Sequence, residues 1–162
     1  MKSRQCLNCL YTSDHPFGIT FNKDGVCSGC TTHAEKFSMD WIERQEKLNM
    51  IVKPYKSKAI QRNYDCIVPV EGNAASYYVL HLVKNILGMN PLCVHYNSHF
   101  TSAEGFWNLA NLRIKFDVDL VSRANSKESI RKIVRHTLSG FQSIYWHVIA
   151  GRTSFPVQVA RD

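Results

Sequence analysis

Asp65-Cys66-Ile67-Val68-Pro69-Val70, running directly into Glu71-Gly72-Asn73-Ala74-Ala75-Ser76, is the stretch on which the fold turns. A short apolar run bounded by turn residues reads as a strand of the buried, parallel-sheet kind. The turn that follows contains a glycine and leads into residues 75–87, which predict a helix that Gly88 stops.

Downstream the alternation repeats. Pro91-Leu92-Cys93-Val94-His95-Tyr96 is a second strand, residues 102–114 a second helix with Ser102 as N-cap, and residues 116–121 a third strand. Asn125 with Glu128 predicts the cap of a third helix, with Ile130, Ile133, Val134 and Leu138 facing inward and Arg131, Lys132 and Arg135 facing out. A last helical stretch spans 141–149, and Gly151-Arg152-Thr153-Ser154-Phe155-Pro156 reads as a loop leading into another helix. Three successive strand–helix units predict an α/β fold with a doubly wound, Rossmann-like parallel sheet. Three strands are few for that class, so the pattern reads as cut off mid-fold at Asp162, with a sheet edge left uncovered.

Upstream, Asp40 followed by Glu43 forms a capping box, and Trp41, Gln45, Leu48 and Val52 fall on one helical face that Pro54 ends. Lys53, Lys56, Lys58 and Arg62 make the connector basic. Before that helix lie two cysteine pairs, Cys6-Leu7-Asn8-Cys9 and Cys27-Ser28-Gly29-Cys30. A two-residue gap lets both thiolates of a pair turn toward one metal, with Gly29 supplying a permissive backbone. Two such knuckles can close a four-cysteine site and staple a segment too short to build a core. Zinc is the expected ion, in a closed, structural site; disulfides and an iron–sulfur cluster are the competing readings. His33 is close enough in sequence to substitute as a ligand but reads as a surface residue. Gly18-Ile19-Thr20-Phe21 with Asn22-Lys23-Asp24-Gly25 predicts a short hairpin between the knuckles. Cys66 and Cys93 read as buried core. The organisation is therefore a zinc ribbon over 1–36, a helix and basic linker over 37–63, and a partial α/β domain over 64–162.

The chain has 162 residues, 44% of them hydrophobic and 20% charged, which suits one α/β domain and a small appendage. No apolar run approaches the roughly 18–20 residues of a membrane span, and no signal peptide opens the sequence, so a cytoplasmic protein is expected. The net charge of +7 fits a solvated surface, phosphate groups of a nucleotide, or a nucleic-acid backbone.

Tyr64-Asp65-Cys66-Ile67-Val68-Pro69-Val70, the turn after it and Ser76-Tyr77-Tyr78 resemble the opening of the PP-loop ATP pyrophosphatase domain. Within that superfamily the chain is most similar to the N-acetyl sugar amidotransferases of bacterial surface-polysaccharide (lipopolysaccharide, O-antigen) biosynthesis. The resemblance takes in the cysteine knuckles with Phe21-Asn22-Lys23-Asp24-Gly25-Val26-Cys27, then Asp40-Trp41-Ile42-Glu43-Arg44 and Leu92-Cys93-Val94-His95-Tyr96-Asn97. It continues through residues 105–112 and Phe155-Pro156-Val157-Gln158-Val159-Ala160. It implies an ATP- and magnesium-dependent reaction that turns an acetamido sugar, nucleotide-linked or lipid-linked, into an acetamidino sugar. Ammonia would come from a glutaminase working with a cyclase-like partner.

The family's loop reads Ser-Gly-Gly-Lys-Asp-Ser, and of the corresponding Glu71, Gly72, Asn73, Ala74, Ala75 and Ser76 only Gly72 and Ser76 match. The lysine and aspartate are missing, and Glu71 at ~5 Å from a phosphate, with an effective dielectric of about 20, opposes it by about 3 kcal/mol per unit charge. Asn73 is expected to stand in for glycine in a left-handed conformation. Impaired catalysis is therefore expected. His95 and Asn97 at the end of the second strand, and Arg152 and Thr153, are the candidate nucleotide contacts beside the loop. Trp107 reads as core, and His136 and His147 as surface or core residues without a partner at metal spacing. No pair of side chains proposes itself as a catalytic dyad. Two other functions stay open: a non-catalytic ribbon module that docks a partner protein, and nucleic-acid binding, which the lack of an aromatic platform beside the charge disfavours.

Overall fold

The computed structural model describes residues 3–16, 18–56 and 63–161. Lys58 and Arg62 of the basic connector lie outside the described residues. The chain divides into two compact units, Met1–Leu48 and Asn49–Asp162.

In the first unit, α1 spans Ser28–Glu35 with Cys27 as its N-cap, and α2 begins at Trp41. The expected hairpin shrinks to single antiparallel bridges, Gln5↔Thr12 and Phe21↔Cys27. The side chain of Asn22 explains this economy: its Oδ1 accepts from the N–H of Asp24 and of Val26, so a side chain replaces a ladder. α2 runs through Trp41–Lys56, past Pro54, and buries none of its residues. Pro54 lacks the N–H that would bond back to the preceding turn, and the helix ends two residues later at Lys56. Trp41, Gln45 and Leu48, expected to face a core, are exposed.

The second unit holds a three-stranded parallel sheet in the order β1-β2-β3, with β1 at Cys66–Pro69, β2 at Pro91–Asn97 and β3 at Leu120–Ala124. Val68 lies opposite Cys93, and Cys93 opposite Leu120. β1 is an edge strand and only half-buried, which is where Pro69, lacking a ladder donor, is acceptable. A groove of about 800 Å³ lies beside it, lined by Tyr55, Tyr64 to Ile67 and Val159 to Arg161.

Helices cover both faces. α3, Ala74–Leu80, continues as a π-helical turn over His81–Ile86, after which Gly88 takes a positive φ of 62°. α4 spans Ala103–Phe116 with Ser102 as N-cap. Together they close one face: Val68, Val70 and Cys93 pack with Leu80, Leu109, Leu112 and Phe116. The stripe Leu109, Leu112, Phe116 has the helical period, so Phe116 is drawn into the core as helix and β3 starts at Leu120, four residues later than expected.

α5 spans Lys127–Phe141 and α6 Trp146–Arg161. α6 packs across β1 and β2 on the other face, where Val94, Tyr96 and Phe155 form a second core, and α5 packs on α6. Five expectations are corrected here. The cap of α5 is Ser126, because the Asn125 amide is engaged with the Tyr96 hydroxyl at 3.0 Å. Thr137 is buried and Leu138 exposed. Residues 141–149 are not one helix, since Gln142 breaks the chain at φ 53°. Residues 151–156 are helix rather than loop, because Phe155 anchors that stretch to the sheet. Trp107 is likewise 71% exposed, on the outer side of α4. No helix is long and apolar enough to cross a membrane among the described residues.

Candidate functional site

Two sites emerge, one in each unit. In the first, the sulfurs of Cys6, Cys9, Cys27 and Cys30 all lie within 4.8 Å of one another. A tetrahedral zinc with Zn–S of about 2.3 Å needs sulfur–sulfur edges of about 3.8 Å. Cys9 and Cys27 stand 3.7 Å apart. Sulfurs this close suit one shared ion; a polynuclear iron–sulfur cluster spreads its thiolates over separate irons. All six cysteines are free thiols.

Local backbone builds the site. The N–H groups of Asn8 and Cys27 donate to the Cys6 sulfur at 3.3 and 3.2 Å, and that of Cys30 to Cys27 at 3.4 Å. Burial pushes the Cys6 thiol up, but the N–H groups of Cys27, Asn8 and Cys9 outweigh it and bring it down to about 6. Cys30 is pushed up to about 12, chiefly by the neighbouring Cys9 sulfur and then by burial. For Cys9, the Tyr11 N–H pulls the thiol down and burial pushes it up; the Cys27 and Cys6 sulfurs, acting against that of Cys30, leave it raised. Four sulfurs crowded together resist ionising as a set, which a divalent cation relieves. His33 stays outside the cluster, its ring against Phe37 at 5.4 Å. The arrangement can hold a metal ion such as zinc, with no open coordination position.

The second site is the turn at the carboxyl end of β1, where ligands of doubly wound sheets bind. Gly72, at φ 70°, takes the left-handed position, while Asn73 is extended at φ −99°. The expectation for Asn73 is thus reversed: it caps α3, its Oδ1 accepting from the N–H of Ser76 at 2.9 Å. Gly72 is also required sterically, since a Cβ there would stand 2.4 Å from the carbonyl oxygen of Gly105. The Ser76 hydroxyl accepts from the Glu71 N–H at 2.9 Å. Asn108, which no sequence signal ties to the turn, donates to the Gly72 carbonyl at 3.1 Å.

Glu71 does not face the turn as an uncompensated charge. Arg152 of α6 meets it at 2.5 Å, so the repulsion expected from its carboxylate is largely offset. A cavity of about 330 Å³ opens beside the pair, walled by the turn and by Phe100 to Ser102. Ala74 and Ala75 form the first turn of α3.

The other nominated residues divide. His95 is buried, and its Nδ1 lies 2.9 Å from the Val70 carbonyl. A carbonyl only accepts, so Nδ1 carries the proton of this bond. Its Nε2 is buried with no hydrogen-bond partner among the described residues, and the centre of the imidazole lies 6.5 Å from that of the Phe106 ring. Asn97 accepts from the His99 N–H and shapes the loop after β2. Thr153 spends its hydroxyl on the Ile149 and Ala150 carbonyls of its own helix. Cys93 is fully buried, its thiol pushed up to about 11 by that burial, and Cys66 is half-buried.

No family model matches the chain. Over 117 residues, 72% of its length, the chain is 26% identical to an uncharacterized protein of Methanocaldococcus jannaschii. The match covers 41% of that relative, so the chain spans well under half the relative's length.

Proposed function

We propose that this chain is an N-acetyl sugar amidotransferase-like protein of PP-loop type, with zinc as the ion of its four-cysteine ribbon. The reaction is ATP-dependent amidation in surface-polysaccharide biosynthesis. The acetamido oxygen attacks the α-phosphorus of ATP and pyrophosphate leaves; ammonia then adds to the activated carbon and AMP departs with the oxygen. A glutaminase and a cyclase-like subunit supply the ammonia.

The observation that carries the reading is the turn after β1, where a left-handed Gly72 pressed against Gly105 leads straight into α3. The N–H groups of Gly72, Asn73, Ala74 and Ala75, which no side chain of the turn occupies, are the donors for a pyrophosphate. Without the lysine and aspartate of the family loop, turnover is weak.

Equilibrium dialysis with ATP and magnesium tests this on the zinc-loaded chain. Binding in the micromolar range with pyrophosphate release supports the reading. The combined change Asn73→Gly, Ala74→Lys and Ala75→Asp is expected to tighten ATP binding at least tenfold. Absence of ATP binding in both proteins would overturn it.

A second reading has its own observation. The Glu71–Arg152 ion pair stands at the edge of the turn and the Ser76 hydroxyl is spent on the Glu71 N–H, as in a fold kept for docking after nucleotide use is lost. On that reading the ribbon retains the glutaminase or cyclase-like partner in a pull-down with or without ATP.

A further inference from the structure

The positive charge of this chain is concentrated. Between Leu120 and Arg161 stand seven lysines and arginines against the single carboxylate of Glu128, a net +6 of the chain's +7. α5 holds the densest part. Glu128 is taken by Lys132 at 2.8 Å, which leaves Lys127, Arg131 and Arg135 as the uncompensated cations of the helix. Spaced four residues apart, these three form one stripe along it.

An apolar ridge borders the stripe. Leu138 and Phe141 follow on the adjoining face of α5, the Trp146 ring of α6 lies 5.9 Å from that of Phe141, and Ile149 is one turn further on. Phe100 and Tyr145 form a second ring pair at 5.8 Å. These six side chains are between 49% and 67% exposed. Exposed apolar side chains gathered in one place and rimmed by charge mark an interaction surface.

The chemistry of the patch selects its occupant. Aromatic rings and aliphatic side chains on one face of an amphipathic helix, with lysine and arginine along the border, are what a helix lying in a lipid interface presents. The long basic stems cover apolar surface while their heads reach headgroup phosphates. A single-stranded nucleic acid would use the rings and the cations, which do stand together here despite the sequence expectation, but has nothing to stack on Leu138 or Ile149. We infer that the α5–α6 elbow is a peripheral docking surface for an anionic lipid bilayer. Phe141 and Trp146 enter the headgroup boundary while Lys127, Arg131 and Arg135 meet anionic headgroups. This inference stands apart from the nucleotide reading of the β1 turn.

The test uses the full zinc-loaded chain with extruded vesicles, either pure phosphatidylcholine or phosphatidylcholine mixed with phosphatidylglycerol. Trp41→Phe with Trp107→Phe leaves Trp146 as the sole tryptophan reporter. Cosedimentation with the mixed vesicles only, a blue shift of Trp146 emission on binding, and weakening by salt are expected. Arg131→Gln with Arg135→Gln should lower partitioning roughly 25-fold. Lys23→Gln, on the ribbon, should leave it unchanged, and Phe141→Ser should remove most of the blue shift. The inference is overturned by no binding to mixed vesicles, by equal binding to both kinds, or by an equal loss in Lys23→Gln. A Trp146 blue shift that accompanies dimer formation without lipid, or tighter binding to a single-stranded oligonucleotide than to vesicles, overturns it as well.

Discussion

Individual side chains decide most of what happens at the two sites. Cys27 is fully buried, receives the Cys30 N–H and caps α1, so Cys27→Ser should abolish stoichiometric zinc binding in a metal-release assay, whereas Cys66→Ser should leave it intact. Acid should release the metal with a recognisable shape. Zinc displaces thiol protons, so affinity falls as pH falls. Cys6, brought down to about 6, is already ionised near neutrality, and the protons displaced there come mainly from groups such as Cys9 and Cys30 whose thiols are pushed up. Below about pH 6 the Cys6 proton joins them, and the fall in affinity measured by chelator competition should steepen. Gly151 offers a different kind of test. A Cβ there would stand 2.2 Å from the Tyr96 ring, so Gly151→Ala should cost about 2–3 kcal/mol in urea unfolding. In a Tyr96→Ala background the same glycine change should cost less, because the ring that the methyl strikes is gone.

Among the elements, helix starts were easier to read than helix ends. Ser102 is legible as an N-cap because a serine just before a periodic stretch satisfies a free N–H, and the structure has it accepting from Gly105. Ser102→Ala should cost about 1 kcal/mol in the same unfolding assay. Asn125 looked equally good as a cap, yet Tyr96, 29 residues earlier in the chain, engages it. The end of α4 was misplaced for a similar reason: the core on the sheet draws Phe116 into the helix, and β3 shifts with it. α5 and α6 carry the docking surface because Thr137, not Leu138, is turned inward, its hydroxyl donating to the Ser143 carbonyl at 2.8 Å where the chain bends between the two helices. Periodicity alone assigns Leu138 to the buried face.

At the scale of the whole molecule, the two units rest on different physics. Among the described residues of Met1–Leu48 only Cys6, Gly25 and Cys27 are buried, so the metal site takes the place of a core. Chelation should therefore unfold this unit alone. Amide exchange should collapse across the ribbon while the thermal transition of Asn49–Asp162, with its two apolar cores, stays within a few degrees of its starting value. The sequence by itself determined the four clustered cysteines, the parallel α/β character and the position of the turn after β1. Each is encoded within a few adjacent residues: a two-residue gap between thiols, an apolar run, a glycine at a strand end. Only the tertiary structure decided that Arg152 neutralises Glu71, that Asn108 holds Gly72, and that an aromatic ridge stands open beside a basic stripe. Those facts join residues dozens of positions apart, and packing fixes such distances only after the helices have taken their places on the sheet.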